Sequence, residues 1–183
     1  MKLDSRDVAL WSVFTALYVI INFAQMFSVG NPTVYGPVQL RVADCLIALA
    51  ALFGWPLIAG VTVGCFLTNA YAFIGFQDVI LGPIANLIAA MIIFRLRRHR
   101  FLACVVGSLP IGLIVGGYLW MFFPPPDVLR MLPVWGGMIV SITVSTLISV
   151  ALMGYTLLRV LEGSKVMETL ESRGLKPPKK ERG

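Results

Sequence analysis

Five charged side chains stand apart from the rest of the chain's charge: Arg41, Asp44, Asp78, Asp127 and Arg130. They lie in or beside long apolar runs, where an ionisable group is expensive and needs a partner or a ligand. Arg41 and Asp44 are three residues apart, so on one helix they share a face and can pair. Such a pair either fixes its helix at the membrane rim or lines a recognition cavity, and spacing leaves both open. Asn69 and Asn86 each bring two donors and a carbonyl acceptor to an apolar segment. An amide of this kind either joins helices or faces a ligand. Asp78 can cap a helix start, where a carboxylate complements the macrodipole, or belong to a site. Gln39 and Gln77 flank these positions, and Tyr35, Tyr71, Phe73 and Phe76 add rings. Hydrogen-bonding groups among aromatics suit a small, flat, polar molecule better than an ion or a lipid. The same clustering also fits the polar rim of any membrane protein.

Catalytic chemistry finds no footing. The single histidine, His99, lies in an arginine cluster, which leaves no H-E-x-x-H zinc motif and no embedded Ser-His dyad. Gly163-Ser164-Lys165 is only a fragment of a nucleotide-binding loop. Cys45, Cys65 and Cys104 stand singly in apolar surroundings and read as small buried side chains, not as a disulfide or metal set. Asn31-Pro32-Thr33 has proline in the position that forbids glycosylation.

The elements that must position the polar residues follow from hydropathy. Of the 183 residues, 58% are hydrophobic and 13% charged, about half the charged share of a soluble domain. Mean hydropathy is +0.85. A water-soluble globule, a disordered chain and a nucleic-acid binder are excluded. Residues 8–29 form a first helix, retained as a helix and not cleaved as a signal peptide. Pro32, Gly36 and Pro37 make the next stretch a loop. Residues 40–76 would form a rod of about 55 Å, too long for a ~30 Å core. Gly54-Trp55-Pro56 therefore divides them into a short helix at 40–53 and another at 56–74. Further helices are predicted at 78–94, 101–123 and 133–161, with Pro124-Pro125-Pro126 ending the fifth. The expected fold is an all-α integral membrane protein of six transmembrane helices. Residues 1–161 form one domain and 162–183 a charged cytoplasmic tail.

The net charge of +6 does not imply a polyanion partner. Thirteen of the fifteen basic residues fall at the N-terminus, at 95–100 and from Arg159 onward. Six crossings put all three regions on one side, and basic loops stay in the cytoplasm, so both termini are expected there. Arg41, Asp44, Asn69, Gln77 and Asp78 then converge on the outer side. Along the first helix Ser5, Ala9, Ser12 and Ala16 form a small-residue face, suited either to internal packing or to docking of another protein. No inverted repeat of the secondary-transporter kind is evident.

Three strings, Gln39-x-Arg41-x-x-Asp44, Gly60-x-x-x-Gly64-x-x-x-x-Asn69 and Asp78-x-x-x-Gly82, occur in an order and spacing that resemble the QueT transporter family. Residues 5–95 carry the likeness best. Asp44 stands where the family more often has Glu, and Pro83-Ile84-Ala85-Asn86 departs from its pattern. The resemblance implies a substrate-binding (S) component of an energy-coupling-factor (ECF) importer in the plasma membrane. It implies capture of a queuosine precursor, a deazaguanine-type base. Its partners would be a transmembrane coupling (T) subunit and two ATPases that use ATP, with no cofactor or metal in this chain. Ser12 and Ala16 match the position of the family's docking motif, and residues 31–38 would act as a lid. On this reading Arg41 and Asp44, with Gln39, orient the ligand, Asn69 and Asp78 bond the base edge, and Tyr35 or Phe76 stacks on it. An S component for another vitamin-like molecule and a structural or assembly protein without a ligand are the alternatives.

Overall fold

The computed structural model describes residues 4–28 and 36–163. Six long helices are present among them, α1 (Ser5–Ser28), α2 (Val42–Phe53), α3 (Trp55–Tyr71), α4 (Phe76–Arg95), α5 (Arg100–Leu119) and α6 (Val134–Glu162), with a short 3-10 turn at Asp127–Leu129 between the last two. Four of these, α1, α4, α5 and α6, are long and apolar enough to cross a bilayer. Tyr35 and the tail beyond residue 163 lie outside the described residues.

α2 is the centre of the bundle. Ala43–Leu52 is buried without interruption, and apart from Asp44 this stretch is apolar all round, as a buried helix must be. α1, α3, α4 and α6 pack around it. Its first eight residues, Val42–Leu49, are 3-10 helix. The tighter winding rises about 2.0 Å per residue, so the twelve residues reach roughly 22 Å where α-helix alone would give about 18 Å. α2 connects to α3 through Gly54 alone, whose φ of 62° is the one positive value among the described residues. Gly54→Ala is expected to destabilise the protein by about 1–2 kcal/mol through left-handed strain, measured as a lower Tm in detergent; an unchanged Tm removes the strain argument.

Lipid tails are as apolar as leucine, so packing contacts, not burial from water, hold such helices together. α1 lies on α3 because Gly60 and Gly64 have no side chains. A Cβ on Gly60 would come within 2.8 Å of Phe14 Cβ, and one on Gly64 within 2.8 Å of Tyr18 Cβ. The close approach also lets the Thr15 hydroxyl donate to the Gly60 carbonyl at 3.2 Å. α3, α4, α5 and α6 then follow as sequential neighbours.

Several local features differ from expectation. α5 stops at Leu119, ahead of the proline run, and the Trp120 indole N–H turns back to the Gly117 carbonyl at 2.8 Å. α6 carries a wide π-helical stretch, Leu147–Gly154, packed on α2. α4 begins at Phe76, with Gly75 before it in extended backbone.

Candidate functional site

The polar side chains of the bundle meet at one end, where α1, α3 and α5 finish and α2 and α4 start. The chain enters this region through an extended segment ahead of α2. Gln25 of α1 clamps it from both sides. Its amide donates to the Leu40 carbonyl at 2.7 Å and its side-chain oxygen accepts from the Val42 N–H at 2.8 Å. Gln39 and Arg41 are thereby held inside, 3% and 6% exposed.

Arg41 precedes α2 with φ −77° and ψ 112°. The shared helical face expected for Arg41 and Asp44 is therefore not how they are related. The guanidinium reaches across the bundle instead. Its Nη1 donates to Asn69 Oδ1 at 3.1 Å, and its Nη2 lies 4.0 Å from Asp78 Oδ1. Its charge still acts on Asp44.

Each carboxylate has its own tyrosine. The Tyr18 hydroxyl donates to Asp44 Oδ1 at 2.6 Å and accepts from the Asn86 amide at 3.0 Å. The Tyr118 hydroxyl donates to Asp78 Oδ1 at 2.7 Å. Asp78 is thus not a helix cap. It lies inside the first turn of α4, makes no capping bond there and is fully buried. Asn69 completes the link, because its amide donates to the Asp78 carbonyl at 2.9 Å. Gly82 makes room for it, since a Cβ there would run into the Asn69 amide nitrogen. The spacing Asp78-x-x-x-Gly82 is thereby explained: one turn on from the acid, the helix must leave a gap for the amide that braces it.

Gln39, Arg41, Asp44, Asn69 and Asp78 are all buried at this end, where the sequence reading expects a pocket open to the exterior. Phe76 and Gln77 are not part of the cluster. Residues two apart on a helix point about 200° apart, so with Asp78 inward Phe76 must face out. It is 73% exposed and stacks edge-to-face on Phe73 at 5.2 Å. Tyr71, also exposed, packs on Phe23. These rings form an outer collar, not a stacking wall. Asn86, which the sequence leaves open between two roles, joins α4 to α1 and belongs to the cluster.

Sequence reasoning misses Tyr18, Asn22, Gln25 and Tyr118. The first three do leave a signal. At positions i, i+4 and i+7 of an otherwise apolar helix they form one polar stripe, and all three are buried. Within the cluster Asn22 Oδ1, Gln39 Nε2 and Asp78 Oδ2 are buried with no hydrogen-bond partner among the described residues. Two acceptors and one donor are thus left available in a dry environment. A separate cavity of about 420 Å³ opens at the opposite end of the bundle, between Trp11, Trp55, Phe94 and Arg97. It shares no residue with the cluster.

Long apolar helices around a sealed hydrogen-bonding cluster define a multi-pass membrane protein with an internal polar site. The family described as the QueT transporter matches residues 8–163, and the chain belongs to that family. It is accordingly a multi-pass protein of the cell membrane. It is similar to the queuosine precursor transporter QueT of Lactococcus lactis subsp. cremoris (strain MG1363), with 32% identity over 87 residues. That alignment covers 48% of this chain and 48% of the relative, so the chain spans about half the length of the curated relative it matches. No solved structure matches it.

Proposed function

We propose that this chain captures a queuosine precursor, a deazaguanine-type base, as the substrate-binding component of an ECF-type importer. The observation that carries the reading is the set of unpartnered buried atoms at Asn22, Gln39 and Asp78. A cluster that only joins helices closes its own hydrogen bonds, because each open one costs about 1–3 kcal/mol. An assembly protein has no use for the three left here. A guanine-like base offers adjacent N–H donors to a carboxylate and ring acceptors to an arginine or amide, which is the complement of this set. In this reading Arg41 and Asp44 orient the base, and Asn69 and Asp78, with Gln39, meet its edge.

On this reading the six helices cross with both termini in the cytoplasm, and the end of the bundle that carries the polar cluster faces outside. Energy comes from partners, a coupling (T) subunit and two ATPases, since the sequence has no P-loop of its own. Ser5, Ala9, Ser12 and Ala16 support a docking role for α1, because all four are exposed while Phe14, Tyr18, Asn22 and Gln25 on the other face are buried.

Equilibrium binding of radiolabelled deazaguanine bases to the purified protein tests the capture role. Saturable binding is expected; its absence, with binding of another vitamin-like molecule, rejects the base but keeps the class. Ser12→Leu with Ala16→Leu separates the two faces. The pair is expected to leave binding within about threefold, as surface changes away from a site usually do. It should release the coupling and ATPase subunits from the protein purified in mild detergent. Retention of all subunits would remove the docking face.

A further inference from the structure

The cavity at the opposite end of the bundle is built from residues that the polar cluster does not use. Its volume of about 420 Å³ falls within the range of ligand pockets, about 300–1,000 Å³. Asp7 and Trp11 of α1, Phe53 of α2, Trp55 of α3, Phe94 of α4 and Arg97 just beyond α4 line it. Rings make most of the wall. Phe53 packs edge-to-face on Phe14 at 4.9 Å, and Trp55 lies 6.3 Å from Phe94.

The cavity continues the inner face of α1. At about 100° per residue, Asp7 and Trp11 fall on the same stripe as Phe14, Tyr18, Asn22 and Gln25. Those four are buried, whereas Asp7 is half-buried and Trp11 is exposed. The inner face thus outruns its neighbouring helices at this end, and the recess is the part they leave uncovered. The small-residue face of Ser5, Ala9, Ser12 and Ala16 points about 150° away. A protein docked on that face leaves the recess open.

Two charges line the recess, one of each sign. The Arg97 guanidinium lies over the Phe94 ring at 4.7 Å from its centre. Asp7 Oδ2 accepts from the Asp4 N–H at 3.3 Å. The two form no ion pair with each other, or with another charge among the described residues. The rest of the basic cluster does not tip the balance. Arg95 and Arg98 are exposed outside the cavity, and Arg100 pairs with Glu162. An anion alone would meet Asp7 as a like charge, and a cation alone would meet Arg97. A ligand that carries both signs satisfies the two residues at once.

We infer that this recess is a phospholipid site for one zwitterionic glycerophospholipid of the ethanolamine type. Its phosphate sits on Arg97, its ammonium on Asp7, and the first part of an acyl chain lies among Trp11, Phe53 and Trp55. The inference is independent of what the polar cluster captures. Arginine presents a fork of donors that matches phosphate, and a primary ammonium brings three donors to a carboxylate. Both bonds are charge-assisted. Tryptophans at the end of a membrane bundle stand at the level of the headgroups, where ring and polar edge each find their surroundings. The aromatic wall favours a ligand with a chain over a soluble phosphate or amine.

Native mass spectrometry of the purified full chain tests the inference. The protein is stripped of lipid in detergent, then offered phosphatidylethanolamine and phosphatidylglycerol with the same acyl chains in equal amounts. One phosphatidylethanolamine per protein is expected, retained at least about fivefold over phosphatidylglycerol. Equal retention, or a preference for phosphatidylglycerol, overturns the inference, because the basic cluster then acts only as a surface for anionic lipid. Glycerophosphoethanolamine, the same headgroup without chains, should not displace the bound lipid; displacement makes the recess a site for a soluble ligand and overturns the inference. Arg97→Gln and Asp7→Asn should each lower retention of phosphatidylethanolamine at least about fivefold, and Asp7→Asn should also erase the preference over phosphatidylglycerol. Undiminished retention in either variant overturns the inference. Loss of the coupling and ATPase subunits from Arg97→Gln, with lipid retention unchanged, would assign the recess to a protein partner instead.

Discussion

Arg41→Met is expected to lower affinity for the base by at least ~100-fold and to reduce the Tm of the ligand-free protein. Removing one partner of a buried ion pair costs about 3–5 kcal/mol, because the other charge stays behind unpaired. At about 1.4 kcal/mol per decade this is two orders of magnitude or more in binding. Here the consequence is larger than for one pair, since two carboxylates share the guanidinium. It bonds Asn69 directly, lies 4.0 Å from Asp78 and acts on Asp44. Methionine keeps most of the volume and flexibility of the arm, so packing loss is a small part of the effect. Arg41→Met combined with Asp78→Asn restores the charge to its starting value and should recover most of the lost Tm without recovering affinity. Thermal unfolding in detergent and equilibrium binding read the two separately. Affinity within threefold of the unmodified protein would take Arg41 out of the site.

All six long helices and half of the cluster are legible in the amino-acid sequence. Hydropathy and the breakers at Gly54 and Pro124–Pro126 locate all six helices, since apolar length and proline chemistry act locally. Arg41, Asp44, Asn69 and Asp78 can be grouped because ionisable and amide side chains in apolar runs are rare enough to stand out. The partners that complete the site are harder to see. A tyrosine in an apolar helix is ordinary, and nothing in sequence marks Tyr18 or Tyr118 as a donor to a carboxylate 26 or 40 residues away. Phe76 is misplaced when the helix is taken to start at Asp78; starting it two residues earlier turns the ring outward. The 3-10 winding of α2 is also hidden. It comes from the need to fit a short, wholly buried helix between four neighbours, which is a tertiary demand on an unexceptional sequence.

The site also depends on a residue with no side chain. Gly82→Ala is expected to lower affinity about tenfold while leaving Tm nearly unchanged. On an exposed helix the substitution gains about 1 kcal/mol, because glycine is a poor helix former. At position 82 the new methyl group meets the Asn69 amide nitrogen. Asn69 must then leave the Asp78 carbonyl and the Arg41 guanidinium, which it now joins at 2.9 and 3.1 Å. Hydrogen bonds between membrane helices average about 0.6 kcal/mol each, so two of them roughly cancel the gain in helix propensity. Binding has no such offset, because Arg41 loses the anchor that aims it. The mechanism can be isolated by a double-mutant cycle. In an Asn69→Ala background there is no amide to displace, so adding Gly82→Ala should change affinity by less than twofold. Equal effects of Gly82→Ala in the two backgrounds would show that the glycine acts through something other than Asn69. Non-additivity of about tenfold would assign to Gly82 the task of holding open the space from which Asn69 aims Arg41.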